Sequence, residues 1–250
     1  MKICAAQTKP VKGDIEYNIE HHIAMARLAA QNGARLIIFP ELSLTGYEPS
    51  IAGELATSPD DERLKAVQEV CDHMDIVIGA GIPTAKLAGT CISMVIFRPR
   101  RVPLVYSKKY LHIDEAPFFV SGDNLCCITI DDTKIALSIC YELSIQEHQL
   151  NAVRTGADIY IASVAKTKTN IDAALNDMSE IARKFRMTTL IANCTGICDG
   201  NQCAGKSSLF NNRGKLIGQL DENTEGLLMI DTSTGHKSVI LAQERTAFAY

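Results

Sequence analysis

The chain has no excess of positive charge: 25 Lys and Arg stand against 29 Asp and Glu, a formal net charge of -4. Without a basic field it has little to hold the phosphates of nucleic acid or an anionic membrane, so neither is an expected partner. It has no apolar run near the roughly 18 to 20 residues that a membrane helix needs. No apolar signal-peptide core precedes the strand-like start Met1-Lys2-Ile3-Cys4-Ala5-Ala6. The nine cysteines are an odd number, which suits free thiols better than a closed disulfide framework. A reducing cytoplasm is the expected location. Internal repeats, linkers and low-complexity tracts are also missing, so one domain over residues 1–250, with a C-terminal tail from about 235, is expected.

What is present is a soluble-globular balance of 46% hydrophobic and 22% charged residues in a chain of 250, long enough to bury a core without staples. Strand patterns alternate with helix patterns. A strand over Met1 to Thr8 is followed by Asp14 as an N-cap, a helix from Ile15 to Gln31, and the apolar strand Ala34 to Pro40. A helical stretch from Pro59 to His73 leads to a short strand at Ile76–Gly81, and Thr90–Phe97 with Val102–Tyr106 reads as a hairpin. A second hairpin, Leu125–Ile130 with Lys134–Ile139, delivers the chain to Cys140. Helices to Thr155 and over Ile171–Met187 then alternate with strands at Ala157–Ser163 and Thr188–Asn193. Cys194 to Lys206 reads as a polar loop, three short strands follow, and His236 to Tyr250 finds no partner within the chain. The mixture of parallel units and hairpins predicts an α/β fold with mixed sheets.

Three residues useful in acyl transfer stand at the ends of predicted strands: Glu41, Lys108 and Cys140. A thiolate can attack the carbon of an amide or nitrile, a carboxylate can take the thiol proton and pass it to the leaving amine, and an ammonium can hold the developing oxyanion. A strand-to-helix turn is also expected to lower the pKa of the Cys140 thiol. Histidine is not needed in such a trio, and none of the six histidines stands in a context like that of a Cys-His-Asn hydrolase.

The motifs around these residues resemble the nitrilase, or carbon-nitrogen hydrolase, superfamily. They are Phe39-Pro40-Glu41 with Gly46-Tyr47, Tyr106-Ser107-Lys108 with Leu111, and Ile139-Cys140-Tyr141-Glu142. Gly156-Ala157-Asp158, Ala192-Asn193 and Gly205-Lys206-Ser207-Ser208 add to them, so the resemblance covers nearly the whole chain in order. It implies a four-layer αββα sandwich, with Glu41 as general base, Lys108 as the oxyanion-holding cation and Cys140 as nucleophile. It also implies Glu115 as a partner of Lys108, the Tyr141 amide at the oxyanion site, no cofactor, and a homodimer or higher homo-oligomer. The run Leu143-Ser144-Ile145-Gln146-Glu147-His148 departs from the Arg-Phe-Pro-Glu of many amidase members, which removes one way of clamping a substrate carboxylate.

The expected substrate is a small amide or N-carbamoyl compound, cleaved with release of ammonia. Nitrile hydrolysis by the same groups and a catalytically inactive scaffold are the alternatives. Cys194, Cys198 and Cys203 fall within ten residues, but neither a Cys-x-x-Cys nor a Cys-x-x-His pair occurs there, so no metal is expected. The Cys126-Cys127 pair reads as strand packing.

Overall fold

The computed structural model describes residues 1–123 and 127–242. In chain order the first half comprises β1 (Lys2–Gln7), α1 (Ile15–Gln31), β2 (Ala34–Ile38), α2 (Lys65–Met74), β3 (Val77–Lys86), β4 (Gly89–Arg98) and β5 (Arg101–Ser107). Next come β6 (Cys127–Ile130), β7 (Thr133–Ile139), α3 (Gln146–Arg154), β8 (Ile159–Val164), α4 (Ile171–Phe185) and β9 (Thr188–Asn193). The chain then adds β10 (Thr195–Cys198), β11 (Asn201–Ala204), β12 (Ser208–Phe210), β13 (Leu216–Gln219), β14 (Gly226–Asp231) and β15 (Lys237–Leu241).

Two mixed sheets result, in the orders β15-β14-β1-β2-β3-β4-β5 and β13-β12-β9-β8-β7-β6. Each has a parallel centre, β1-β2-β3 in one and β7-β8-β9 in the other, flanked by antiparallel strands. Helical crossovers are what parallel neighbours require. α1 and α2 supply them in the first half, and α3 and α4 in the second.

The strand period of two sorts the side chains into layers. Along β1, Ile3 and Ala5 join the core shared by the two sheets, while Cys4 and Ala6 join the core beneath α1 and α2. Leu36 and Ile38 against Ile37 on β2, and Met94 and Ile96 against Val95 and Phe97 on β4, divide in the same way. The Asp14 side chain accepts a hydrogen bond from the Tyr17 amide at 3.1 Å and so starts α1. Ile15, Ile19, Met25 and Ala26 then turn toward the first sheet. Helix, sheet, sheet, helix is the expected four-layer sandwich.

The structure differs from the sequence expectation at several elements. Cys194–Lys206 contains the antiparallel ribbon β10-β11 instead of a loop, with Thr195 opposite Ala204 and Cys198 opposite Asn201. His236 onward does find a partner: β15 pairs antiparallel with β14, from Ile230 opposite Lys237 to Gly226 opposite Leu241. Residues 243–250 of that tail, and Cys126 of the cysteine pair, lie outside the described residues. Ile76–Gly81 is the first part of a longer strand, β3, which forms a nine-pair hairpin with β4. β2 pairs with β3 only as far as Gly79, so the missing amide of Pro83 breaks no ladder there. Between Cys140 and α3 the chain makes a short 3₁₀ turn, Cys140–Ser144, and α3 starts from Ile145 without a side-chain cap.

Candidate active site

Glu41 follows β2 after Phe39-Pro40, Lys108 follows β5 directly, and Cys140 follows β7 directly. All three stand at carboxyl ends of strands, where open α/β sheets collect functional groups. The turn carrying Glu41 lies against β3 at Gly81. A Cβ there would stand 2.4 Å from the Leu42 nitrogen and 2.6 Å from the Pro40 oxygen, so no larger residue fits beneath the turn. The Leu44 amide donates to the Gly81 carbonyl at 2.9 Å and holds the approach. From the other sheet, the Ser163 hydroxyl of β8 donates to the Phe39 carbonyl at 2.8 Å.

Lys108 is fully buried and donates to Glu41 Oε1 at 2.8 Å and to Glu115 Oε1 at 2.6 Å. Glu115 ends a 3₁₀ turn whose N-cap is His112, and its other oxygen accepts the His112 amide at 2.8 Å. The Tyr47 hydroxyl donates to Glu115 Oε1 at 3.0 Å. Glu41 Oε2 is buried without a well-formed hydrogen bond, and the Cys140 thiol interacts with the same carboxylate. The four sequence-predicted site residues therefore meet in one buried cluster. Lys109, the adjacent lysine, is exposed.

The cluster sets its own protonation states. Burial raises the Glu41 carboxyl, Glu115 adds to the rise, and the ammonium of Lys108 opposes it. Burial alone would lower the Lys108 ammonium, but the charges of Glu41, Cys140 and Glu115 outweigh it and hold the group above the usual lysine range. The Cys140 thiol is pushed up to about 11 by burial and by Glu41, with Lys166 and Lys108 pulling the other way. The expectation of a lowered thiol pKa is thereby corrected. A strand-end turn lowers a thiol only where solvent or cations dominate, and here desolvation and a carboxylate do. Cys140 also has φ +46, a left-handed conformation that costs a non-glycine residue roughly 1–3 kcal/mol and projects it sharply from the strand end.

Sequence reasoning gave no role to three residues. Glu142, fully buried, accepts the Lys109 amide at 2.7 Å and the Tyr110 amide at 3.3 Å on one oxygen. Its other oxygen accepts the Ile139 amide at 2.9 Å and the Tyr106 hydroxyl. One carboxylate thus ties the lysine turn to the nucleophile turn, a junction that motif matching noted only as the residue after Tyr141. Glu142→Ala is expected to leave several buried donors unpaired and to lower stability by about 3 kcal/mol or more in urea unfolding. Tyr47 bridges to Glu115 as described. Lys166, after β8, carries a positive charge close enough to act on Cys140.

The sulfurs of Cys194, Cys198 and Cys203 also converge. Cys194 Sγ lies 3.5 Å from Cys198 Sγ and 3.0 Å from Cys203 Sγ, and all three residues are buried. Their spacing along the chain argued against such a cluster, but the turn between β10 and β11 brings them together. Among the described residues no helix is long and apolar enough to cross a membrane.

The fold recurs in known proteins. Among solved structures, an amidase of the nitrilase superfamily from Nesterenkonia sp. AN1 superposes with a TM-score of 0.83 at 22% identity, covering 92% of this chain and 91% of that one. A probable nitrilase of Schizosaccharomyces pombe is 25% identical over 247 residues, 90% of this chain and 86% of its own length. Nitrilase homolog 2 of Dictyostelium discoideum is 26% identical over 159 residues, 58% of this chain, and the match takes in 48% of that protein. For the glutamine-dependent NAD(+) synthetase of Thermotoga maritima, 27% identical over 150 residues and 57% of this chain, the share is 26%. The chain thus spans half or less of the length of these last two relatives. The profile of the carbon-nitrogen hydrolase family matches residues 2–235, and with two mixed sheets that converge on a buried Glu-Lys-Glu cluster beside a cysteine, the chain belongs to that family.

Proposed function

We propose that the protein hydrolyses a non-peptide C–N bond in a small amide or N-carbamoyl compound, through a thioester on Cys140 and with release of ammonia. The observation that carries this reading is the buried Lys108 ammonium, held between Glu41 and Glu115 at strand ends that also deliver Cys140. In the first half-reaction the thiol proton passes to Glu41 as sulfur bonds to the carbonyl carbon. The displaced electron pair rests on oxygen, facing Lys108. Collapse of that intermediate breaks the C–N bond, and Glu41 returns the proton to the departing nitrogen. Water then attacks the thioester, gives a proton to Glu41, and the sulfur leaves to recover it. Glu115 and Tyr47 keep the ammonium in place throughout.

An amide substrate is further supported by the relatives. A Pseudomonas (R)-stereoselective amidase is 24% identical over 165 residues, 65% of this chain and 60% of its own length. One mutant of the Nesterenkonia amidase has been obtained in complex with butyramide, and another with the acetamide moiety of fluoroacetamide attached to its active-site cysteine. Nitrile hydrolysis is the second reading, because a Pyrococcus abyssi nitrilase is 25% identical over 240 residues, 92% of this chain and 90% of its own. Ammonia release across aliphatic amides, ω-amides, ureido acids, carbamoyl amines and nitriles separates the readings. Turnover of amides or carbamoyl compounds above that of nitriles is expected. Turnover of nitriles alone selects the second reading, and a flat panel selects an inactive scaffold.

A further inference from the structure

Beside the catalytic cluster, and with no part in the reaction just described, lies the trio Cys194, Cys198 and Cys203. Cys203 lies opposite Gly196, the residue midway between Cys194 and Cys198, in the ribbon. The ligand sulfurs all fall within 4.8 Å of one another. Four sulfurs at about 2.3 Å around a zinc ion stand about 3.8 Å apart, so these three, at 3.5 and 3.0 Å from Cys194, need only spread by less than about 1 Å to form one face of such a tetrahedron. Tyr47 and Ala165 pack over the sulfurs and shield them. Among the described residues no fourth Cys, His, Asp or Glu joins the group, which leaves one position for an exogenous donor or a trigonal site.

We propose that Cys194, Cys198 and Cys203 bind one thiophilic d¹⁰ cation, Zn²⁺ or Cu⁺, in a three-thiolate site behind the active centre. Three ligands of this softness discriminate against Mg²⁺, Ca²⁺ and Mn²⁺. Binding exchanges protons for metal: three thiols release three protons as three metal–sulfur bonds form, with no change in oxidation state. Zn²⁺ leaves the site with one net negative charge and Cu⁺ with two, which favours zinc in so buried a place. The site also reaches the catalytic cluster through one residue, since Tyr47 packs against the trio and donates its hydroxyl to Glu115. An occupied site would hold Tyr47, and with it the orientation of Glu115 toward Lys108.

The test uses the full chain without a His tag, reduced and kept anaerobic. Zn²⁺ is titrated against a chromophoric chelator in one arm, and Cu⁺ is supplied as its bicinchoninate complex in the other. One tightly bound ion per chain is expected, and the preferred arm identifies the metal. Co²⁺ is expected to give the sulfur-to-cobalt charge-transfer band of several thiolates in a tetrahedral or near-tetrahedral site. Cys198→Ser and Cys203→Ser should each weaken binding by more than the roughly 10–100-fold that loss of an outer partner costs, whereas Cys140→Ser should bind as the parent does. The parent's own Co²⁺ spectrum decides the matter if those variants fail to fold. Absence of binding in both arms with no cobalt–thiolate band overturns the proposal. So does binding lost in Cys140→Ser and kept in the others, or a disulfide within the trio located by peptide mapping of protein purified without reductant. None of these readouts depends on turnover, so the hydrolase reading can fail while this one stands.

Discussion

Cys140→Ala is expected to abolish ammonia release, by at least about a thousandfold in kcat/KM, because it removes the atom to which the acyl group bonds. The fold should survive. Cys140 is 9% exposed at the mouth of its turn, so alanine leaves only a small void, and circular dichroism should be unchanged. Cys140→Ser is the sharper comparison, because it keeps a protonated nucleophile of similar size in the same left-handed backbone conformation. With the thiol raised by burial and by Glu41, the resting group at neutral pH is the thiol and not the thiolate. Attack must therefore be coupled to proton transfer to Glu41. Glu41→Gln should consequently lower turnover nearly as far as Cys140→Ala does, and rapid alkylation of Cys140 in the resting enzyme is not expected near neutral pH. Ammonia release that persists in Cys140→Ala would overturn the mechanism, since Cys140 is the thiol that acts on Glu41 and Lys108.

Glu41, Lys108 and Cys140 were legible in the sequence because each follows an apolar strand within a short motif, and the sheet brings strand ends together whatever lies between them. Glu115 was accessible only through resemblance, because nothing in its own segment announces that its carboxylate turns back to the lysine seven residues earlier. The residues missed share a different property. The bonds from Glu142 to Lys109 and Tyr110 cross more than thirty positions, and the Tyr47 bond to Glu115 crosses 68. No local pattern encodes such pairs. The same holds for the cysteine trio, where spacing along the chain misleads once a tight ribbon turn folds it back on itself. The strand β15 was hidden for another reason. As an edge strand it alternates between exposed and half-buried positions, so its apolar residues Val239 and Leu241 stay exposed and give no core-facing stripe.

Lys108→Met is expected to be the most informative substitution after those at Cys140 and Glu41, because it changes both the rate and its pH dependence. Methionine keeps much of the volume but removes the charge that faces the oxyanion, which should lower kcat/KM by roughly 10²–10³ or more. The ammonium also opposes the rise of the Glu41 carboxyl. Without it Glu41 is pushed further up and holds its proton to higher pH. A base works only when deprotonated, so activity in the parent is lost as pH falls through the already raised Glu41 pKa, and the acid limb lies above the ordinary carboxylate range. In Lys108→Met that limb should move further toward alkaline pH. A purely structural role for Lys108 would lower the rate and leave the limb in place. Stability should fall too, by about 3–5 kcal/mol at neutral pH, because Glu41 and Glu115 lose the cation between them. That loss should shrink as pH falls and the carboxylates take up protons, so the profile is best measured at low temperature, with folding monitored alongside. Lys109→Ala, altering an exposed side chain one position away, should leave both the rate and the limb unchanged. If Lys109→Ala instead abolishes turnover while Lys108→Met retains it, the lysine that faces the substrate is not the one buried between the glutamates.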